Sequence, residues 1–126
     1  MSKHILVVDD HPPTVRLIQN ALEQEGFSVS SAVNGAECLL AVHRDPPDLI
    51  VLDVIMPVID GFQTLRILRE NEATRALLVV ILSIRDSDKD ILEGWRIGAD
   101  LYLTKPFQVE ELVAAVKRVL DTADAG

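Results

Sequence analysis

Four runs along the chain are apolar at consecutive positions: Ile5 to Val8, Leu49 to Leu52, Leu77 to Leu82, and Leu101 to Leu103 around Tyr102. Short continuous apolar runs of this kind are what strands covered on both faces require. A fifth run, Phe27 to Val33, alternates small polar with apolar residues and reads as a strand at a sheet edge. Between the runs the apolar spacing changes to three and four residues. Pro12 and Pro13 fit a first helical turn, Val15, Ile18 and Leu22 continue the stripe, and Gly26 supplies a stop. Ala36 to His43, Gly61 to Asn71 and Ser87 to Ile97, the last ended by Gly98, predict three more helices. In a fifth, Val109, Leu112, Val116 and Val119 share one face while Glu110, Glu111, Lys117 and Arg118 lie off it. Residues 122–126 read as a frayed terminus or linker stub, which leaves residues 1–121 as the domain.

Strand and helix therefore alternate five times. Parallel strands joined by short connections need right-handed helical crossovers, so the pattern predicts an α/β fold, a three-layer α/β/α doubly wound five-stranded parallel sheet. No internal repeat, low-complexity tract or interior linker interrupts the 126 residues. A chain of that length suits one domain that buries roughly two-thirds of the surface it would expose unfolded.

Composition removes several classes of function. Twelve basic residues against 20 acidic ones give a net charge of -8, and no Lys/Arg-rich run is present, which argues against direct nucleic-acid binding. No apolar stretch approaches the ~20 residues that cross a bilayer. The apolar start, Ile5 to Val8, is far shorter than a signal-peptide core and meets two aspartates, so neither export nor membrane insertion is expected. The lone Cys38, beside Leu39 and Leu40, reads as a small buried side chain and fits a reducing, cytoplasmic compartment.

The candidate chemistry lies at strand ends, because open α/β sheets bind ligands beyond the carboxyl ends of their strands. The first strand runs into Asp9-Asp10, the third into Asp53, the fourth into Ser83 and the fifth into Thr104-Lys105-Pro106. Three crowded carboxylates repel and are costly to desolvate, so a cation should share the site. Lys105 brings one charge. Oxygen donors without a suitably spaced His or Cys pair select Mg2+ for the remainder, with Mn2+ as an alternative. Asp9 and Asp10 taken alone would also suit capping of the first helix, and Asp60, directly before Gly61, reads as a cap. His4, His11 and His43 share no spacing and read as structural or solvated.

The strings Val7-Val8-Asp9-Asp10-His11-Pro12, Leu52-Asp53-Val54-Ile55-Met56-Pro57-Val58-Ile59-Asp60-Gly61, Leu82-Ser83 and Gly98-Ala99-Asp100-Leu101-Tyr102-Leu103-Thr104-Lys105-Pro106-Phe107 together resemble receiver domains of two-component response regulators. The resemblance runs from about Lys3 to Leu120 and implies a flavodoxin-like sheet of order 2-1-3-4-5. It implies that Asp53 is the nucleophile that takes a phosphoryl group from the phosphohistidine of a sensor histidine kinase or histidine phosphotransfer protein. It places Mg2+ on Asp10 and Asp53 directly, on Asp9 through water, and on the backbone carbonyl of Ile55. Lys105 would neutralise phosphoryl oxygens, Ser83 would hydrogen-bond the attached group, and a cis peptide would precede Pro106.

The same resemblance makes Ser83 and Tyr102 a switch: Ser83 moves toward the phosphoryl group and Tyr102 turns inward. The face of helix four, strand five and helix five would then control a downstream protein or fused output domain. Trp95, Leu101 and Val113 are the expected contact or homodimer residues there, with a core role for Trp95 equally open. Leu101 and Ala115 depart from the charged residues of winged-helix regulator dimers. Ile84 is bulkier than the usual neighbour of the strand-four hydroxyl, which implies slow labelling by small phosphodonors. Ile55, alongside Arg85, lacks a polar group to orient a hydrolytic water, which implies a long-lived phosphoryl group. Such a chain is no enzyme beyond its own phosphotransfer and slow dephosphorylation. The rival reading is a phosphorylation-independent pseudo-receiver. The Asp-x-Asp of haloacid dehalogenases and the glycine-rich nucleotide motifs are absent, and whether the receiver stands alone or belongs to a longer protein is left open.

Overall fold

Leu6, Ile50 and Val79 lie side by side across three parallel strands, all of them sealed from water. This is the centre of a computed structural model that describes residues 2–125. The strands are β1 (His4–Val8), β2 (Ser28–Ala32), β3 (Leu49–Leu52), β4 (Leu78–Ser83) and β5 (Leu101–Thr104). They alternate with α1 (Pro12–Gln24), α2 (Gly35–Arg44), α3 (Gly61–Glu70), α4 (Asp88–Ile97) and α5 (Val109–Ala125). All pairings are parallel, as the pattern predicts, and the order is β2-β1-β3-β4-β5, as the resemblance implies.

Successive side chains of a strand point to opposite faces, so the apolar runs feed two cores. Leu6, Val8, Ile50, Leu52, Val79 and Ile81 face α2, α3 and α4, where they meet Cys38, Val42, Leu65 and Leu68. Ile5, Val7, Leu49, Val51, Val80 and Leu82 face α1 and α5, where they meet Ile18, Leu22, Leu112 and Val116. Cys38 is fully enclosed and burial pushes its thiol up to about 12, so it is an inert packing residue. Among the described residues no helix is long and apolar enough to cross a membrane.

The apolar run at Leu101 to Leu103 has helices over both faces, α4 and α5, as its pattern requires, and forms the edge strand that the order 2-1-3-4-5 implies, with Leu101 and Leu103 half-buried. One expectation needs correction. The supposed stub at 122–126 is helical through Ala125, and Gly126 lies outside the described residues. No Gly or Pro interrupts the chain from Val109 to Ala125, Leu120 is buried, and Asp124 lies 3.6 Å from the Lys3 ammonium.

Helix starts follow from local chemistry. Asn34 accepts from the Glu37 amide at 2.8 Å, and Asp60 forms a capping box with Gln63 as its sequence position suggested. The N-cap of α1 is His11, so neither Asp9 nor Asp10 is consumed as its cap. At the far end of α4, Gly98 adopts a left-handed conformation with φ 114°. Arg69 holds that end in place: its guanidinium donates to the Gly98 carbonyl at 3.0 and 2.8 Å and to the Arg75 carbonyl at 3.0 Å.

Gly61 opens α3 against the backbone of Asp53. A Cβ there would stand 2.2 Å from the Asp53 carbonyl oxygen, and the Gly61 amide donates to Val54 O at 2.8 Å. Gly61→Ala should therefore lower unfolding free energy by about 1–3 kcal/mol through overpacking, read from the denaturant midpoint. A midpoint equal to wild type would show that this approach has slack.

Candidate functional site

Sheet hydrogen bonds bring the first two carboxylates together. Beyond the ends of β1 and β3 the pairing continues, with Asp9 N donating to Ala32 O at 3.1 Å and Asp53 N donating to Val8 O at 2.9 Å. Asp9 and Asp53 are thus lodged on neighbouring strand ends, 3% and 7% exposed, while Asp10 next door faces solvent. One oxygen from each of Asp9, Asp10 and Asp53 lies within 4.8 Å of the other two.

Lys105 arrives from the opposite side of the sheet's carboxyl rim. Its amide donates to Ser83 O at 2.8 Å, extending the β4 and β5 pairing, and the Lys105–Pro106 peptide is cis. The ammonium donates to Asp9 Oδ2 at 2.8 Å and stands 3.5 Å from Asp53 Oδ2. Asp9 Oδ1 accepts from the His11 amide at 2.9 Å, and Asp53 Oδ1 accepts a longer bond from the Ile55 amide at 3.3 Å. Burial holds the Asp53 carboxyl above the usual carboxylate range; Lys105 opposes this, the charge of Asp9 reinforces it, and the amides of Ile55 and Val54 oppose it.

One ammonium among three carboxylates leaves a net double negative charge. The donor set is all oxygen, and the oxygens span little more than the roughly 4.2 Å between opposite ligands of an octahedral Mg2+ with 2.1 Å bonds. Exposed Asp10 leaves one side open to the waters such an ion keeps. The cluster therefore fits a hard divalent cation. None of the three histidines belongs to it; His11 Nδ1 instead pairs with Thr14 Oγ1 at 2.7 Å.

Ser83 is fully enclosed, and its Oγ accepts from the Arg85 amide at 3.1 Å. Tyr102 is packed inward: its hydroxyl donates to the Arg85 carbonyl at 2.7 Å, and its ring lies so near Gly94 that a Cβ there would stand 2.7 Å from Cδ2. The inward position is held by contacts with α4 and the β4–α4 loop. Burial pushes the Tyr102 phenol above its ordinary value, the charge of Asp90 adds to this, and the Ser83 hydroxyl opposes it. Backbone Arg85 and Gly94 escaped the sequence reading, although a glycine inside a predicted helix was a visible sign of close approach.

The supposed contact residues divide. Trp95, 45% exposed, joins neither core and shares the outer surface of α4 with Leu92. Leu101 and Val113 pack instead against the core on the α1 and α5 side of the sheet. Ile55 and Ile84 are exposed at the same rim as the carboxylates.

The family model described as response regulator receiver domain matches residues 5–117. The alkaline phosphatase synthesis transcriptional regulatory protein PhoP of Bacillus subtilis is 42% identical over 120 residues, which cover 95% of this chain and 49% of PhoP. The response regulator PleD of Caulobacter vibrioides is 42% identical over 117 residues, covering 93% of this chain and 26% of PleD. Among solved structures, the receiver domain of the Francisella response regulator 1452 superposes with a TM-score of 0.90 at 34% identity, covering 97% of this chain and 99% of that one. The chain spans about half the length, or less, of these curated relatives.

The raised Asp53 carboxyl has a measurable consequence. A carboxyl whose folded pKa exceeds its unfolded value favours the fold when protonated, and that contribution is lost as pH rises through the folded pKa. In EDTA, Asp53→Asn should therefore melt above wild type at neutral pH, and the gap should close as pH falls through the carboxylate range. Millimolar Mg2+ should raise the wild-type Tm more than that of the variant. A variant melting below wild type at neutral pH in EDTA would contradict the assignment.

Proposed function

The chain belongs to the response regulator receiver domain family of two-component signalling, and from that premise we propose that Asp53 accepts a phosphoryl group from a protein phosphohistidine. The observation that carries this is Asp53 itself, nearly buried, 3.5 Å from the Lys105 ammonium and grouped with Asp9 and Asp10. The donor is a sensor histidine kinase or a histidine phosphotransfer protein. A carboxylate oxygen of Asp53 forms the new bond to phosphorus as the bond from phosphorus to imidazole nitrogen breaks, and that electron pair stays with the imidazole.

Phosphoryl transfer is loose and charge-rich, so the protein's task is positioning and neutralisation. Asp9, Asp10 and Asp53, with the Ile55 carbonyl, would hold Mg2+, which when bound supplies the positive charge that lets an anionic donor approach anionic Asp53. Lys105 stabilises phosphoryl oxygens from the other side. Ser83 Oγ accepts from Arg85 N and keeps its own hydrogen to donate to the attached group. Because Ser83 and Tyr102 both bond Arg85, a shift of Ser83 is felt through that loop by Tyr102 and by α4. The face of α4, β5 and α5, including Trp95, Leu101 and Val113, is then the surface that reports phosphorylation to a downstream protein, an output domain or a second copy.

PhoP is named a transcriptional regulatory protein; a comparable output here would come from outside this acidic domain. The setting is cytoplasmic, and the domain performs no turnover beyond its own phosphotransfer and dephosphorylation. A pseudo-receiver is disfavoured by the complete set of Asp9, Asp10, Asp53, Ser83 and Lys105.

Incubation with acetyl phosphate and Mg2+, followed by intact-mass measurement, should add one phosphoryl group to wild type and none to Asp53→Asn. Labelling of the variant, or none of the wild type by any phosphodonor, would overturn the reading. Labelling of wild type should be slow, Ile84→Ala should speed it several-fold by opening the rim, and the adduct should outlast seconds. Equal rates for Ile84→Ala and wild type would remove Ile84 as an obstacle.

A further inference from the structure

Val58 holds a backbone conformation that its own side chain opposes. Its φ is 73°, and among the described residues it is the one non-glycine residue with positive φ. Ile59 N donates to Pro57 O at 2.9 Å, so Val58 is the centre of a γ-turn of the rare, strained hand. A β-branched residue in this region is a genuine outlier, whereas glycine would enter it freely. The strain is not recovered by packing. Val58 is 81% exposed, more than any other large apolar side chain described, and belongs to neither core.

The turn is also firmly held. Pro57 restricts one side, the Asp60 capping box fixes the other, and Gly61 N is tied to Val54 O. Val58 is therefore a rigid apolar tip on the β3–α3 loop, five residues beyond Asp53. Ile55 and Ile84, 45% and 62% exposed, stand on the same carboxyl rim. Strain that gains nothing inside the fold directs attention to what the residue meets outside it.

Asp53 is only 7% exposed, so a histidine carried on a protein surface must bring the flanks of that surface onto the rim to reach it. A small phosphodonor has no flanks. The pocket beneath is anionic, and an apolar rim lets a donor protein dock without adding like charge. We propose that Val58 is a specificity-determining contact for the protein phosphodonor, packing against aliphatic side chains beside its phosphohistidine. This rests on Asp53 as the phosphoacceptor.

The test compares two donors. One is acetyl phosphate; the other is the phosphorylated kinase core or histidine phosphotransfer domain that, from a purified panel, transfers fastest to wild type. The readout is the ratio of the protein-donor rate to the acetyl phosphate rate. Val58→Gly should relieve the turn and raise Tm by about 2–4 °C, yet lower the ratio about tenfold, the size expected when a buried valine contact is lost. Val58→Thr keeps the branch and the strain but not the apolar surface; its Tm should match wild type and its ratio should fall several-fold. A wild-type ratio in either variant, or no rise in Tm for Val58→Gly, overturns the proposal while leaving Asp53 as acceptor. Failure of both donors to label wild type removes the phosphoacceptor reading and this one together.

Discussion

Two carboxylates, Asp9 and Asp53, stand at the ends of neighbouring parallel strands, nearly out of water, with one ammonium to share. Isolated buried charges of this kind would protonate or drag the chain apart. They stay because the sheet gives them no alternative: Asp53 N is committed to Val8 O and Asp9 N to Ala32 O, so the backbone ladder fixes both before any side chain is consulted. The two apolar cores make that ladder rigid. The site is accordingly a place where the fold's cohesion is set against electrostatic repulsion. Under the proposed function, a bound cation and an incoming phosphoryl group would both act on that balance.

The strand order matters to this arrangement. β1 and β3 are adjacent because the chain crosses from one side of the sheet to the other between β2 and β3, and the crevice left at that reversal is where the carboxylates meet. Lys105 reaches them from β5, the far edge, across β4. Four strand ends contribute to one constellation, so no local segment of the chain could form it.

This explains what was legible in the sequence. Asp9, Asp10, Asp53, Ser83 and Lys105 each follow an apolar run, and strand ends are a property of pattern. The edge position of β2 was legible for the same reason, since its alternation shows one wet face. The edge position of β5 followed from the resemblance and not from its pattern, because two helices cover its faces and its residues are apolar although no strand covers its side. The γ-turn at Val58 was hidden, because it is set by a hydrogen bond that a composition carries no trace of, from Ile59 N to Pro57 O. For Tyr102 the resemblance implied an inward turn, and a glycine inside a predicted helix marks a close approach without showing which ring makes it. The helical end of α5 was misread because polar residues at a chain end look like a frayed tail even when nothing in them breaks a helix.

The attachment of α4 is uneven along its length. Its C-terminal cap is gripped by two donors of Arg69, whose Nη2 also stands 3.3 Å from an Asp100 oxygen that accepts from the Val79 amide. Its N-terminal end carries the Ser87 cap and a partly exposed Arg85–Asp90 pair at 3.4 Å, and Gly94 is its single buried residue. Mechanically, α4 is a lever with its fulcrum at Gly98. Under the proposed function, a small push where Arg85 leaves the carboxylate rim would act on the less tightly held arm, so torque, and not translation, is what the helix would deliver to whatever rests on Leu92 and Trp95.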